Sequence, residues 1–332
     1  MKHGLRPFRS WSSHELAATA YADLGEDRLQ MILHCVARQV QRENPTPRGM
    51  STGSTAIRPH SDHAPTSAGT MWAMATTSDR VRVIFVAVTA VTQAAAAPLT
   101  TWALGPASNT GAISDANASP ITPADYAFGV WGLIYAACLA LAVYQLLPSQ
   151  QERKVHRLTG WWLFGAFLTS TLWVPIFGTR TIWLAQILIV ILVIYLVFAA
   201  RAFLVVGPAA STAEELLLRL PVMIYLGWAT VAAAAGFATM FRSWGMPASA
   251  RWVNEIGVVL VLSATIMSLF VLSRLVAVIG FLLTACWALV AVALATESNS
   301  VRNTAVIAIV IMLAVVFGRI LRSRERRAVL FG

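Results

Sequence analysis

The stretch Thr122-Pro123-Ala124-Asp125-Tyr126-Ala127-Phe128-Gly129-Val130-Trp131-Gly132-Leu133-Ile134-Tyr135 decides the reading of this chain. Thr122 and Asp125 stand at the S/T-x-x-E/D spacing of a capping box, with Pro123 at the first helical position, which predicts a helix starting there. An apolar run follows to about Leu147, long enough as a helix to cross a hydrocarbon core of roughly 30 Å. Tyr126, Phe128, Trp131 and Tyr135 fall within its first turns, at one membrane boundary.

Working outward, apolar stretches of similar length recur from Val81 to Leu321. Eight spanning helices are predicted, at about 81–104, 123–147, 158–177, 182–206, 217–241, 253–272, 275–296 and 302–321. Only Ser273 and Arg274 separate the sixth from the seventh, so one kinked helix there, making seven spans, is the alternative. Hydrophobic residues make up 57% of the chain and charged residues 12%, against about 25% charged in a soluble domain. The fold class is an all-α integral membrane protein.

The formal charge of +10 raises the question of nucleic acid, and the placement of Lys and Arg answers it. On the eight-span order thirteen of them, from Arg80 and Arg82 through Arg153, Arg157 and Arg219 to Arg326 and Arg327, fall on one side. Only Arg180, Arg242, Arg251 and Arg302 fall on the other. The positive-inside rule then places both ends of the membrane region in the cytoplasm of a multi-pass plasma-membrane protein. The charge sets topology and requires no polyanion. The basic tail 322–332 reads as a cytoplasmic stop in contact with anionic lipid headgroups.

Residues 1–79 differ in kind and read as a separate N-terminal extension. Residues 43–70 have the Pro, Ser, Thr and Gly content of a disordered segment, and residues 14–42 show an amphipathic pattern. A translation start at Met74 is the alternative. The three cysteines, Cys35, Cys138 and Cys286, make no disulfide framework. The sequence carries no Walker loop, H-E-x-x-H, G-x-S-x-G or ligand-spaced Cys/His set, so neither an enzyme nor a required metal or cofactor is expected.

Charged side chains are almost missing from the predicted spans, Glu255 lying near an end of the sixth, which argues against an ion-coupled carrier. Gln93 sits near the middle of the first span, with Gln145 and Gln186 nearer helix ends. Gln93 reads as an interhelical hydrogen bond of about 0.6 to 2 kcal/mol, a ligand contact being the alternative. Trp102, Trp161, Trp162, Trp183, Trp244 and Trp252 read as an interfacial aromatic belt. Trp131, two turns in, and Trp228, near mid-span, do not, because an indole N–H in lipid is costly without a partner. They are either core residues with satisfied N–H groups or the walls of a pocket in the outer half of the bundle, suited to a flat apolar ligand with polar edges. Gly132, Ala136 and Ala140, and Ala232 with Gly236, form small-xxx-small rows that permit close contact inside the bundle or in a homodimer.

The segment from Pro123 to Tyr135 resembles the P-x-W/Y-x-F-x-x-W-x-x-L/I-Y signature that opens the second helix of the TspO/MBR family, the tryptophan-rich sensory proteins related to the translocator protein. Tyr144-Gln145-Leu146-Leu147-Pro148 is similar to the family's later Y-Q-x-x-P. Leu220-Pro221 with Tyr225-Leu226-Gly227-Trp228 is similar to the motif opening its fifth helix. The resemblance covers about residues 81–241. Typical members carry Ala four residues and Asn eight residues after the last Trp; here Ala232 keeps the first and Gly236 replaces the second. The family Trp of helix three corresponds to Trp173, where the preceding Asn is absent and Thr169 and Ser170 stand nearby.

The resemblance implies a TspO-like five-helix bundle at 80–241 with three additional helices at 242–321 and a basic tail beyond. It implies binding of a hydrophobic small molecule, a tetrapyrrole such as protoporphyrin or a sterol-like compound, with a sensory or regulatory role. Tyr126, Phe128, Trp131, Tyr135, Trp173, Tyr225 and Trp228 are then the expected ligand-binding residues. Two other classes fit the composition: a small-molecule permease, which inverted repeats and broken helices would mark, and a structural or regulatory membrane subunit without a ligand.

Overall fold

The computed structural model describes residues 76–247 and 252–332; the expectations for residues 1–75 lie outside the described residues. The first helix, α1 (Thr77–Leu104), starts a few residues earlier than the apolar pattern predicts. Its cause is a capping box: Asp79 N–H donates to Thr76 Oγ1 at 3.2 Å, and Thr76 N–H donates to the Asp79 carboxylate at 3.3 Å. The capping box expected at Thr122 and Asp125 does not form. Thr122 Oγ1 instead accepts from Ser119 N–H at 2.9 Å. Residues Asp125–Gly129 wind as a 3₁₀ turn, and the α-helix proper, α2 (Val130–Leu146), begins seven residues after Pro123.

The remaining spans are α3 (Lys154–Gly178), α4 (Ile182–Val206), α5 (Leu220–Ser243), α6 (Trp252–Arg274), α7 (Ile279–Ala295) and α8 (Asn299–Arg322). Seven are long and apolar enough to cross a membrane, and α7, with 17 residues, is apolar but shorter. At 1.5 Å per residue it is about 25 Å long. The 272–275 joint is a true break: α6 stops at Arg274, and Ala277 takes a positive φ of 60° before α7 starts. The alternative of one kinked helix there is excluded.

Helix contacts close a ring. α1 packs against α2 and α3, α3 against α4, α4 against α5, and α5 returns to α2. This is the five-helix bundle, and α5 is its most buried member, with Trp228 and Tyr225 both inside. The other three helices pack on its outside, α7 and α6 against α5, with α8 covering both. α7 also braces the second helix. Ala124 N–H donates to Ala291 carbonyl, and Trp287 Nε1 donates to Ala127 carbonyl at 3.4 Å.

The row Gly132, Ala136 and Ala140 is exposed among the described residues. The belt tryptophans Trp102, Trp161, Trp162, Trp183, Trp244 and Trp252 are all exposed, as amphipathic side chains at an interface should be.

The cationic side is knitted by buried charge pairs. Asp79 accepts from Arg82 Nη1 at 2.6 Å and from both Arg157 Nε and Nη2, while Arg82 also donates to the Gln151 carbonyl. Across the bundle Glu214 accepts from Arg153 and twice from Arg219, and both Glu214 and Arg219 are fully buried. A π turn at Glu215–Arg219 turns Arg219 inward, where its guanidinium also lies 5.1 Å from the Phe203 ring centre. The C-terminal segment is not a loose basic tail. Arg327 donates to both carboxylate oxygens of Glu215, Val278 N–H donates to Val329 carbonyl, and Ala209 N–H donates to Gly332 carbonyl.

Candidate functional site: an aromatic cavity in the bundle

The 3₁₀ turn at 125–129 explains how the site is built. A 3₁₀ turn repeats every three residues, so side chains at i and i+3 eclipse. Asp125, Phe128 and Trp131 therefore project the same way, and all three reach cavities at the end of the bundle opposite the paired charges. Tyr126 lies a third of a turn away. It is half-exposed and meets Trp287 of α7 edge-on, with ring centres 5.3 Å apart, so it lines neither cavity.

Trp131 is the hub. It stacks on Trp173 of α3 with centroids 5.3 Å apart and planes 28° from parallel, and it meets Trp228 of α5 edge-on at 6.0 Å. Tyr135 and Tyr225 approach it at 5.6 and 6.0 Å. Trp173 continues the stack to Phe177, and Phe128 meets Trp228 edge-on. Offset-stacked and edge-to-face pairs are the arrangements that the ring quadrupole favours. Of the seven expected residues the structure gathers six in one cluster centred on Trp131; Tyr126 alone stands apart. Tyr225 lies beneath the cavities rather than in their walls, its hydroxyl donating to Gln93 Oε1 at 3.4 Å. That contact gives Gln93 the interhelical bond expected of it.

Two cavities flank the Trp131–Trp173 stack. The inner one is narrow, with an open volume of about 40 Å³ among Phe128, Trp131, Trp173, Phe177, Gln186, Trp228, Ala232, Gly236 and neighbours. It is roofed by Thr110, Ser114 and Thr122 of the long α1–α2 connection and reached on one side by Ala288 of α7. The outer one, about 550 Å³, lies over α1, α2 and α3 and is lined by Asn109, Asp115, Asp125, Phe128, Trp131, Tyr135 and Trp173 among others. Partial desolvation and the neighbouring Asp125 carboxylate raise the Asp115 pKa above its ordinary value.

The polar inventory of the inner cavity holds a residue that the sequence reading named but gave no role. Gln186, on α4, donates from Nε2 to the Ala233 carbonyl at 2.9 Å, and its Oε1 occupies the space where a side chain at Gly236 would stand. The amide group that typical relatives are expected to supply from α5 thus arrives here from α4. The only signal in the sequence was a lone amide in an otherwise apolar helix. Phe177, Ala288 and the 110–114 segment were missed, because loop residues and a helix outside the five-helix resemblance give no pattern pointing inward. Among the described residues the buried Trp228 indole N–H has no partner, and the indole lines the inner cavity.

Among the described residues no three His, Cys, Asp or Glu side chains come together as a metal-ligand group. Residues 81–318 match the family model described as TSPO-like protein. The matched span runs past residue 241, where the motif resemblance ends, and takes in the additional helices almost to the end of α8. No curated protein and no solved structure matches the chain.

Proposed function

The chain belongs to the TSPO-like protein family, and from that premise we propose that it binds a flat hydrophobic small molecule of the tetrapyrrole type in its aromatic cavity and serves a sensory or regulatory role. One observation carries the reading. Trp131 stacks on Trp173, meets Trp228 edge-on, and lines a cavity with both, and among the described residues the buried Trp228 N–H has no partner. A ring system laid against such faces gains dispersion and apolar burial, and an acceptor on its edge relieves the orphan donor, whose desolvation otherwise costs about 1 to 3 kcal/mol. A sterol-like ligand would use the same walls but leave the stacked faces without a flat partner.

The protein is a multi-pass membrane protein. We place the charge-paired end, where Asp79, Arg157, Glu214 and Arg327 gather, in the cytoplasm of a plasma-membrane protein, on the asymmetry of Lys and Arg. The cavities then face the opposite side. Titrating the purified protein with protoporphyrin and with haem, following tryptophan fluorescence, tests the ligand. Saturable quenching is expected, and its absence with both compounds would leave the family fold without a tetrapyrrole function.

A further inference from the structure

Every side chain lining the inner cavity is uncharged. Among the described residues no Lys or Arg lines the cavity, and the guanidinium of Arg242, on the same helix as Thr239, is committed to the carbonyls of Ala118 and Met246. The hydrogen-bonding groups are few and definite. Among the described residues Trp228 Nε1 is a donor without an acceptor. Gln186 spends its Nε2 on the Ala233 carbonyl, and among the described residues no donor reaches its Oε1, which lies over Gly236. Trp228, Ala232 and Gly236 succeed one another at four-residue steps along one face of α5. At 1.5 Å per residue, positions 228 and 236 lie about 12 Å apart along the helix axis.

We infer that this cavity selects an electrically neutral planar ligand that presents an acceptor to Trp228 at one edge and an N–H or O–H donor to Gln186 at the opposite edge. The inference rests on the reading that the cavity takes a hydrophobic ligand, and it adds two things: the ligand enters without charge, and Gln186 decides which edge chemistry is accepted. Burying an unpaired carboxylate in such a lining is far more costly than burying a neutral ester. A missing donor opposite Gln186 leaves its carbonyl oxygen unpaired in an apolar site. Gly236 is part of the device, because any side chain there would collide with Gln186 Oε1 and displace it.

The test compares neutral and anionic forms of two ring systems: protoporphyrin dimethyl ester against protoporphyrin, and cholesterol against cholesterol sulfate. Ligand-induced thermal stabilisation of the detergent-solubilised protein gives apparent affinities. Binding in the cavity is the part lost in Ala235→Leu, which fills it. In each pair that binds, the neutral member should bind at least about tenfold more tightly than the anion. Gln186→Leu should weaken the neutral ligand by about two- to tenfold, and Gln186→Met, of matching length, replaces it should the Leu variant fail to fold. An anion bound as tightly as its neutral partner overturns the charge selection. Unchanged affinity in the Gln186 variants overturns the role of the amide. If neither porphyrin binds while cholesterol binds in preference to its sulfate, the tetrapyrrole reading falls and the neutral cavity stands. Binding by none of the four overturns both.

Discussion

Gly227 of α5 packs against Thr284 of α7 with no room for a side chain between them. A Cβ built on Gly227 would fall 2.5 Å from the Phe281 carbonyl oxygen and closer still to Thr284 Oγ1. The Thr284 hydroxyl donates to the Ile224 carbonyl at 2.9 Å, and a Cβ built on Gly280 of α7 would fall 2.9 Å from the Leu220 carbonyl oxygen and 3.0 Å from Ile224 N. Small residues on both helices permit this approach, as membrane helix interfaces require when no hydrophobic effect drives association. Gly227→Val should therefore push α7 away from α5. The expected outcome is a clear fall in thermal stability in detergent, with Trp287 losing its contact to the start of α2, read as a change in indole emission. Unaltered stability and emission would show that α7 is not docked through this contact.

Trp131 and Tyr126 are neighbours in the signature but have different surroundings. Trp131→Ala removes a stacking face, a kind of contact worth about 0.5 to 1.5 kcal/mol beyond buried area, and should weaken protoporphyrin binding by about two- to tenfold. Tyr126→Ala lies outside both cavities and should leave the affinity nearly unchanged. Equal effects from the two substitutions would contradict the placement of the ligand beside Trp131.

Glu214 and Arg219 are both fully buried and mutually paired. Glu214→Gln leaves the Arg219 cation without its counter-charge, a loss that costs about 3 to 5 kcal/mol for a buried pair. Thermal unfolding in detergent should show a large drop. The paired replacement Glu214→Gln with Arg219→Met should recover part of it, since it removes the stranded charge as well.

Asp115 supplies a pH dependence whose sign follows from its raised pKa. Partial desolvation first, and repulsion from Asp125 second, make ionisation harder in the folded state than in the unfolded chain. Stability contributed by the protonated carboxyl is present below the ordinary carboxylate value of 3.8 and is lost as pH rises through the folded value. Asp115→Asn should thus be more stable than the parent at pH 7, with the difference vanishing as the pH falls below that ordinary value. Melting curves of both proteins across this range provide the check, and a constant or reversed difference would contradict the assignment.

The orientation is tested by reporter fusions after Arg157 and after Ile113. Arg157 belongs to the charge-paired end and Ile113 to the connection that roofs the cavity. The first reporter should be cytoplasmic and the second on the other side; a common side for both would refute the topology.

What the sequence determined by itself was the material and its order. Apolar runs of spanning length, a one-sided distribution of Lys and Arg, and the aromatic spacing after Pro123 sufficed for a helical membrane protein of the right family, with Trp131, Trp173 and Trp228 marked for a common pocket. These are properties of length, polarity and local period, which a chain displays before it folds. The tertiary structure decided what depends on a neighbour distant in sequence. Local spacing offered a capping box at Thr122, but backbone and indole contacts from α7 hold that segment in a 3₁₀ turn, which aligns Phe128 with Trp131 and turns Tyr126 away. Likewise Gly236 reads in sequence as a lost polar residue. Only the packing of α4 against α5 shows that Gln186 lies in the space the glycine leaves, because which side chain fills a gap is set by the approach of two helices and not by either one alone.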